Sequence, residues 1–476
     1  MPLLSCSFFA PETHTDGPSL VWVSSSCLLK PRTQGISDLI AHVRLLTDGQ
    51  DGVTYLNPCC DFSFAADKSS VLSYEPLPLY SEKSSELLTT DVLKTIEKNV
   101  DALDGPLRDL SLSIHEHPEL MFQEKFAHDL LTSFMERNGF RVTRHYLGLE
   151  TAWRAEFRHL KGGRTIGINS EMDALQGMGH ACGHNLIAIS GVGVALALKA
   201  ALQTHNVPGK VVLLGTPAEE GGGGKVILLE RGAYDDMDAC IMCHPGAGRL
   251  NSTSIGSTTA MQAIEVEYFG QSAHAGAAPW EGTNAQDAAF LAYSGVSVLR
   301  QQMKPTHRVH GILQGNNWVA NVIPDYAKMR WIVRAPTSKE LIAFVERVKK
   351  CLEAAALATS CKVILHEETP YYDLHQNEVL AHDFVNTIGS QYGLLASTDD
   401  TAASTDFGNV TYAIPTQPRG GNHTPAFAKA AASKQAHEAT MLVTKALALT
   451  GFRVVADIGF FGQVKGAFDA WKDLAD

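Results

Sequence analysis

From residue 90 onward, hydrophobic positions recur with the periods of regular secondary structure. Val92, Ile96, Val100 and Leu103 are spaced three or four residues apart, which predicts a helix. Further segments alternate between strand and helix patterns: helix 124–138, strands 151–157 and 165–169, helix 185–204, strand 210–216, a short helix after 225, and strand 238–243. This order predicts an α/β fold with a mostly parallel mixed sheet flanked by helices.

The rhythm changes between residues 257 and 374. Ile264, Val266 and Tyr268 alternate with two glutamates, which is typical of a strand with one buried face. The predicted elements that follow are helix 284–303, strands 308–314 and 326–334, helix 338–356 and strand 361–366. A β-α-β-β-α-β order predicts an inserted ferredoxin-like α+β domain, after which the chain returns to the first domain with helices near 379–392 and 428–449.

Residues 1–90 show no sustained period. They hold 7 of the 20 prolines and 4 of the 9 cysteines, and they are rich in serine. We predict a poorly structured N-terminal extension.

Composition and charge narrow the range of partners. The chain has 476 residues, 45% of them hydrophobic and 19% charged, and Lys+Arg 39 against Asp+Glu 51 gives a net charge of −12. Without a basic run, neither nucleic acid nor an anionic membrane is an expected partner. The longest apolar run, 186–198, falls short of the roughly 20 residues of a membrane span and resembles a buried helix. The nine cysteines are scattered and odd in number, which leads us to expect reduced thiols. The N-terminal residues do not have the pattern of a leader sequence, so we expect a cytoplasmic location.

The segment 170–185, SEMDALQGMGHACGHN, joins a predicted strand to a predicted helix. Its side chains should therefore collect at the carboxyl end of the sheet, where open α/β folds bind ligands. Cys182 and His184 are two residues apart, and a thiolate and an imidazole suit zinc or a similar divalent ion. Taken alone, the pair is better explained as a turn histidine beside a buried thiol.

Three further segments carry ligand-type side chains. Glu219 and Glu220 follow another apolar strand; one carboxylate could bind metal while the other carries protons, or both could be solvated in a glycine-rich loop. His244 follows a third strand, and His423 lies in a loop before the last predicted helix. Each histidine alone could be an ordinary loop residue, but the four segments together predict a metal site.

These motifs, in this order, resemble the peptidase M20 family of the aminoacylase and carboxypeptidase superfamily. The resemblance covers about residues 91–460 and is strongest to a branch of dipeptidases and p-aminobenzoyl-glutamate hydrolase-type amidohydrolases. The segments that carry it are 172–185, TPAEEGGGGK at 216–225, CHP at 243–245, GQSAHA at 270–275, NVIP at 321–324 and STDFG at 404–408. It implies a catalytic metal-binding domain of residues 91–256 and 375–476, and a lid and dimerisation domain of residues 257–374.

The resemblance also implies residue roles. Cys182 would bridge two divalent metal ions, most readily zinc, with manganese or cobalt as alternatives. The other ligands would be His184, Glu220, His244 and His423. Glu219 would be the general base and acid, and Asp173 would orient a ligand histidine. Gln176 departs from the proline that is usual after Asp-Ala-Leu.

Within the insert, His274 matches the family histidine that reaches the partner subunit's site across a homodimer. Asn321 and Arg334 match positions that hold substrate polar groups and a terminal carboxylate, although an arginine on an edge strand is commonly only solvated.

The resulting hypothesis is a metal-dependent amidohydrolase that cleaves a dipeptide or an N-acyl amino acid by metal-activated water, with a glutamate as the base. Two alternatives stay open. One is an amidohydrolase of a specialised pathway acting on a conjugated acyl-amino acid. The other is a non-catalytic binding or scaffold protein that retains the fold.

Overall fold

The computed structural model describes residues 90–246, 251–398, 400–417 and 424–475. The predicted N-terminal extension lies outside the described residues except for Thr90, and so does His423. The helices are α1 Thr90–Ala102, α2 Asp104–Glu116, α3 Lys125–Arg137, α4 His184–Thr204, α5 Gly224–Glu230, α6 Ala285–Leu299, α7 Ser338–Thr359, α8 Glu378–Tyr392, α9 Phe407–Thr411, α10 Pro425–Ala431, α11 Lys434–Ala456 and α12 Ile458–Ala475. The strands are β1 Arg141–Arg144, β2 Trp153–His159, β3 Arg164–Glu171, β4 Gly209–Thr216, β5 Ala239–Ile241, β6 Ser252–Ser254, β7 Ala260–Phe269, β8 Arg308–Gly315, β9 Tyr326–Ala335, β10 Lys362–Glu367, β11 Leu395–Ser397 and β12 Thr416–Gln417.

The larger sheet has six strands in the order β1-β2-β4-β3-β5-β12. The pairs β4/β3, β3/β5 and β5/β12 are parallel, whereas β1/β2 and β2/β4 are antiparallel. Along β4, Val211 and Leu213 belong to one hydrophobic cluster and Val212 and Leu214 to another, so apolar layers cover both faces. The predicted mostly parallel mixed sheet flanked by helices is confirmed.

Helix α4 is the central helix of this domain. Seventeen of its 21 residues are buried, and it packs against β3. At Gly191 a Cβ atom would lie 3.0 Å from the carbonyl oxygen of Asn169, so only glycine permits this close approach to the strand. Two helices, α4 and α11, are long and apolar enough to cross a membrane, but 89% of the apolar window of α4 and 67% of that of α11 are buried inside the protein. Both are typical of core helices.

A second sheet has four antiparallel strands in the order β10-β7-β9-β8. Its elements follow in the predicted order β7-α6-β8-β9-α7-β10. Ile264, Val266 and Tyr268 are buried in a separate hydrophobic cluster together with residues of α6 and α7. The boundaries of this region as a domain, and its role as a lid, stay predictions.

Several elements differ from the sequence pattern. Helices α2 and α12 and the short parallel pair β6/β11 were not predicted. The predicted helix 428–449 is two helices, because Ser433 accepts a hydrogen bond from the Ala436 amide and begins α11 as its N-cap.

Candidate metal centre

Three strand ends bring the chemistry-bearing side chains to one edge of the six-stranded sheet. β3 ends at Glu171, its parallel neighbour β4 ends at Thr216, and β5 on the other side ends at Ile241. The residues just beyond these ends therefore meet at the carboxyl edge. Four of the five predicted metal ligands are described, and they fall into two groups that share His184. We call these four residues the metal cluster: Cys182, His184, Glu220 and His244.

The distances within the metal cluster are short. Cys182 Sγ lies 3.3 Å from His244 Nε2, and His184 Nε2 lies 3.9 Å from Glu220 Oε1. The ligand atoms of Cys182, His184 and His244 all lie within 4.8 Å of one another, and so do those of His184, Glu219 and Glu220. Thiolate, imidazole and carboxylate donors at this separation match the ligands of zinc sites.

Asp173 forms hydrogen bonds with two residues of the metal cluster. Its Oδ1 atom lies 3.0 Å from His184 Nδ1, and its Oδ2 atom accepts a hydrogen bond of 3.0 Å from the Glu220 amide. His184 Nε2 is buried and has no hydrogen-bond partner within the described residues. A histidine bound to a carboxylate through one nitrogen, with the other turned into a donor cluster, has the arrangement of a metal ligand.

Burial and crowded charges shift the acid–base properties of the site. Burial, followed by the charges of Glu171 and Glu220, raises the pKa of Glu219 well above its usual value. Burial also raises the pKa of the Cys182 thiol and lowers that of His244. Burial alone would lower the pKa of His184, but the Asp173 charge and other neighbouring anions raise it. Buried anionic groups that disfavour one another's ionisation are stabilised by a cation among them.

A second group of buried acids lies beside Glu219. Oxygen atoms of Glu171, Glu219 and Asp406 lie within 4.8 Å of one another. The Lys225 ammonium lies 2.6 Å from Glu171 Oε1 and 2.5 Å from Asp406 Oδ1. Because the lysine already supplies a cation there, the cluster around Cys182 and His184 is the stronger candidate for a metal site.

The loop that carries Glu219 is held from two sides. We call residues 217–224 the Glu219 loop. The Tyr371 hydroxyl donates to the Glu219 carbonyl oxygen at 2.8 Å and accepts from the Gly223 amide at 2.8 Å. On the other side, Glu124 Oε1 accepts a 2.9 Å hydrogen bond from the Ala218 amide.

The predicted residues of the insert form separate groups. Asn321 Nδ2 lies 3.4 Å from His274 Nε2, and both residues are exposed. Arg334 donates at 2.7 Å to the hydroxyl of Ser404. The hydrogen bonds of these three residues within the described parts of the chain do not extend to the metal cluster.

A cavity of about 720 Å³ lies beside His244. Its walls are largely apolar and include Met242, Phe384 and Leu447, and Glu438 is the charged residue in its described lining. The volume is in the range of small-molecule sites.

Sequence reasoning did not assign roles to Glu124, Lys225, Tyr371 or Asp406. Lys225 and Asp406 lie inside motifs that were recognised, and their opposite charges were a usable signal. Their pairing spans 181 residues of sequence. Glu124 and Tyr371 have no comparable local pattern.

Comparison with known proteins gives a consistent result. Peptidase family M20/M25/M40 matches residues 167–461. The chain is 40% identical over 394 residues to the Xaa-Arg dipeptidase of Mus musculus, covering 78% of this chain and 89% of the relative. It is 30% identical over 293 residues to one of the subunits of p-aminobenzoyl-glutamate hydrolase from Escherichia coli K12, covering 57% and 60% of the two chains.

Among solved structures, the YxeP protein of Bacillus subtilis, a dinuclear metal-binding peptidase from the M20 family, superposes with a TM-score of 0.57. The two chains are 20% identical, and the match covers 75% of this chain and all of the other. This likeness concerns the fold, and the sequence matches carry the assignment. The chain belongs to peptidase family M20/M25/M40.

Proposed function

We propose that this protein hydrolyses the amide bond of a dipeptide or an N-acyl amino acid, using two divalent metal ions. The observation that carries the proposal is the meeting of a thiol, two imidazoles and a carboxylate from three strand ends, beside the second buried carboxylate of Glu219. The proposed ligands are Cys182, His184, Glu220, His244 and His423. The thiol among them favours zinc over manganese or cobalt.

Bound divalent ions would polarise the substrate carbonyl and lower the pKa of water. The side chains supply the remaining steps. Glu219 accepts the proton of the attacking water on its carboxylate and passes it to the leaving amide nitrogen, a role suited to a buried acid with a raised pKa. Asp173 keeps the proton of His184 on Nδ1, so that Nε2 faces the metal cluster.

We also propose a cytoplasmic homodimer in which His274 reaches the partner's site. In support, His274 and Asn321 contact each other on an exposed surface and form no hydrogen bond with their own metal cluster among the described residues. Arg334 is the proposed site for a substrate carboxylate, since its guanidinium carries several donors and it lies against the segment that contains Asp406. The five described cysteines are all free, which is consistent with a reducing compartment.

The test combines metal analysis with a substrate panel on the full chain. The panel contains dipeptides with C-terminal arginine, lysine or an apolar residue, N-acetylated amino acids and p-aminobenzoyl-glutamate. We expect two bound ions per chain and hydrolysis of at least one class. Glu219→Gln should lower kcat by about 10²–10⁴-fold with unchanged metal content, because the proton acceptor is lost while the ligands remain.

Glu230→Gln is the matched control, since Glu230 is an exposed carboxylate at the end of α5. Its kcat should equal that of the parent. A metal-loaded parent that cleaves no member of the panel, or a Glu219→Gln variant as fast as the parent, would contradict the proposal.

A further inference from the structure

Ala218, which directly precedes Glu219, has a strained backbone. Its φ angle is +59°, in the left-handed region that non-glycine residues rarely adopt, and its side chain is fully buried. Such a conformation persists where surrounding contacts enforce it. The backbone dihedral angles of Ala218 set the orientation of the next residue. These contacts therefore also determine where the Glu219 carboxylate lies.

The segment that precedes α3 contacts Ala218. Glu124 is completely buried, and its Oε1 atom accepts hydrogen bonds from the amides of Ala218 at 2.9 Å and Phe122 at 3.0 Å. Its Oε2 atom accepts from the Thr151 hydroxyl at 2.7 Å. Phe122 is itself left-handed, with φ +60°. One carboxylate oxygen therefore joins two strained residues that are 96 positions apart in sequence.

The same segment also packs closely against the Glu219 loop. A Cβ atom at Gly222 would lie 2.5 Å from a ring carbon of Phe122 and 2.6 Å from the Cβ atom of Ala218. The Gly222 amide donates to the Ala218 carbonyl oxygen at 3.0 Å. The loop is thus fitted to the Phe122–Glu124 segment by shape as well as by hydrogen bonds.

We propose that Glu124 is a positioning residue for the amide hydrolysis: it holds Ala218 in the left-handed conformation and thereby aims Glu219 at the reacting atoms. Its side chain binds the loop backbone and does not touch the metal cluster. The kinetic part of this inference rests on the proposed function, whereas the effect on loop conformation does not.

Glu119 provides a matched control in the same segment. Its two carboxylate oxygens accept hydrogen bonds from the amides of Phe126 at 2.9 Å and Ala127 at 3.0 Å, at the start of α3. Replacing Glu119 with alanine therefore also removes a carboxylate bound to two backbone amides, but those amides lie in the helix and not in the Glu219 loop.

The kinetic experiment uses the full, metal-saturated chain. Glu124→Ala and Glu124→Met, which fills the glutamate's space without an acceptor, should each lower kcat by about 100-fold with little change in KM, because the base is misplaced while substrate contacts remain. Glu124→Gln should stay within a few-fold of the parent, since its side-chain oxygen still accepts from both amides. Glu119→Ala should leave kcat unchanged.

A double variant separates positioning from general destabilisation. Glycine adopts positive φ without steric cost, so Ala218→Gly in the Glu124→Met background should recover kcat by about tenfold. A Glu124→Met kcat equal to the parent's, or an equal loss in Glu119→Ala, overturns the proposal. A double variant with no recovery overturns it as well.

Hydrogen exchange on the metal-free protein tests the loop without reference to activity. Exchange of the Ala218 and Gly222 amides should be at least about tenfold faster in Glu124→Met than in the parent, and unchanged in Glu119→Ala. A parent that cleaves no substrate but shows this difference would refute the proposed function and leave the loop contact established. Unchanged exchange in Glu124→Met would refute the role of Glu124 itself.

Discussion

Glu124 combines a structural contact with an unusual acid–base property. Burial, followed by the charge of Asp173, raises the pKa of its carboxyl group from 4.5 to about 7, although its hydrogen bonds oppose the shift. At pH values between 4.5 and about 7, the Glu124 carboxyl group is therefore deprotonated in the unfolded chain and protonated in the folded chain. The free energy of unfolding is therefore highest below pH 4.5, as far as this group is concerned, and falls as the pH rises to about 7.

We predict that Glu124→Gln becomes more stable relative to the parent as the pH rises. The neutral amide avoids the cost of a buried charge, and a shift of this size corresponds to about 3 kcal/mol. Urea unfolding of the metal-free parent and variant at pH 5 and pH 8 measures the difference. A stability difference that is the same at both pH values would show that the pKa of Glu124 is not raised.

At the residue scale, local sequence patterns select side chains that lie close together in the structure. Cys182 and His184 stand two residues apart, Glu219 and Glu220 are adjacent, and all follow apolar strands; four of the predicted ligands meet in the structure. Glu124 and Asp406 were not assigned roles because their partners are set by the fold. The Glu124 carboxylate is recognised only once α3 and the Glu219 loop are seen side by side.

At the level of elements, periodicity predicted most helices and strands, and the local chemistry of helix starts explains two of the exceptions. Helix α2 carries Gly105 and Pro106 at its start, which suggest a break, yet proline is well tolerated in a first turn. The boundary between α10 and α11 depends on the Ser433 cap, which hydrophobic spacing does not reveal. The three-residue strands β6 and β11 are too short to show a period.

The packing of α8 against α11 depends on one buried acid. Asp383 accepts a 2.7 Å hydrogen bond from the Thr450 hydroxyl and forms an ion pair with Arg453. Burial raises the pKa of Asp383 even though Arg453 opposes this. Removing the carboxylate would leave a largely buried guanidinium without this anion.

We predict that Asp383→Ala lowers the free energy of unfolding by about 3 kcal/mol, as expected when one partner of a buried pair is removed. Urea unfolding monitored by circular dichroism gives the value. Asp469→Ala is the control, because Asp469 forms an exposed pair with Lys465 on α12, worth under about 0.5 kcal/mol. Equal losses in the two variants would show that the Asp383–Arg453 pair contributes no more to the free energy of unfolding than the exposed pair does.

For the whole molecule, the four-stranded sheet offers two edges, and they differ in character. β10 carries two charged residues, Lys362 and Glu367, whereas β8 carries one, Arg308. Each strand also has one histidine, His366 on β10 and His310 on β8. On the surface of the same region, α6 exposes Phe290, Leu291 and Tyr293. Charges discourage pairing between edges, so β8 is the edge better suited to a two-fold contact between chains.

Subunit mixing tests whether a homodimer completes the site. His274 forms its described hydrogen bonds within the insert, which fits a residue that acts on the partner's metal cluster. His274→Ala and Glu219→Gln should each retain at most about 1% of the parent's activity as pure proteins. After unfolding and refolding together, half of the dimers would be mixed, and each mixed dimer would hold one site with both an intact glutamate and an intact histidine. Activity should then return to about a quarter of the parent's level.

Two further variants test which edge of the sheet forms the contact between chains. Ile312→Lys on β8 should abolish this recovery by blocking the edge, and Ile364→Lys on β10 should not. If the mixture stays inactive while sedimentation shows dimers, His274 does not serve the partner's site.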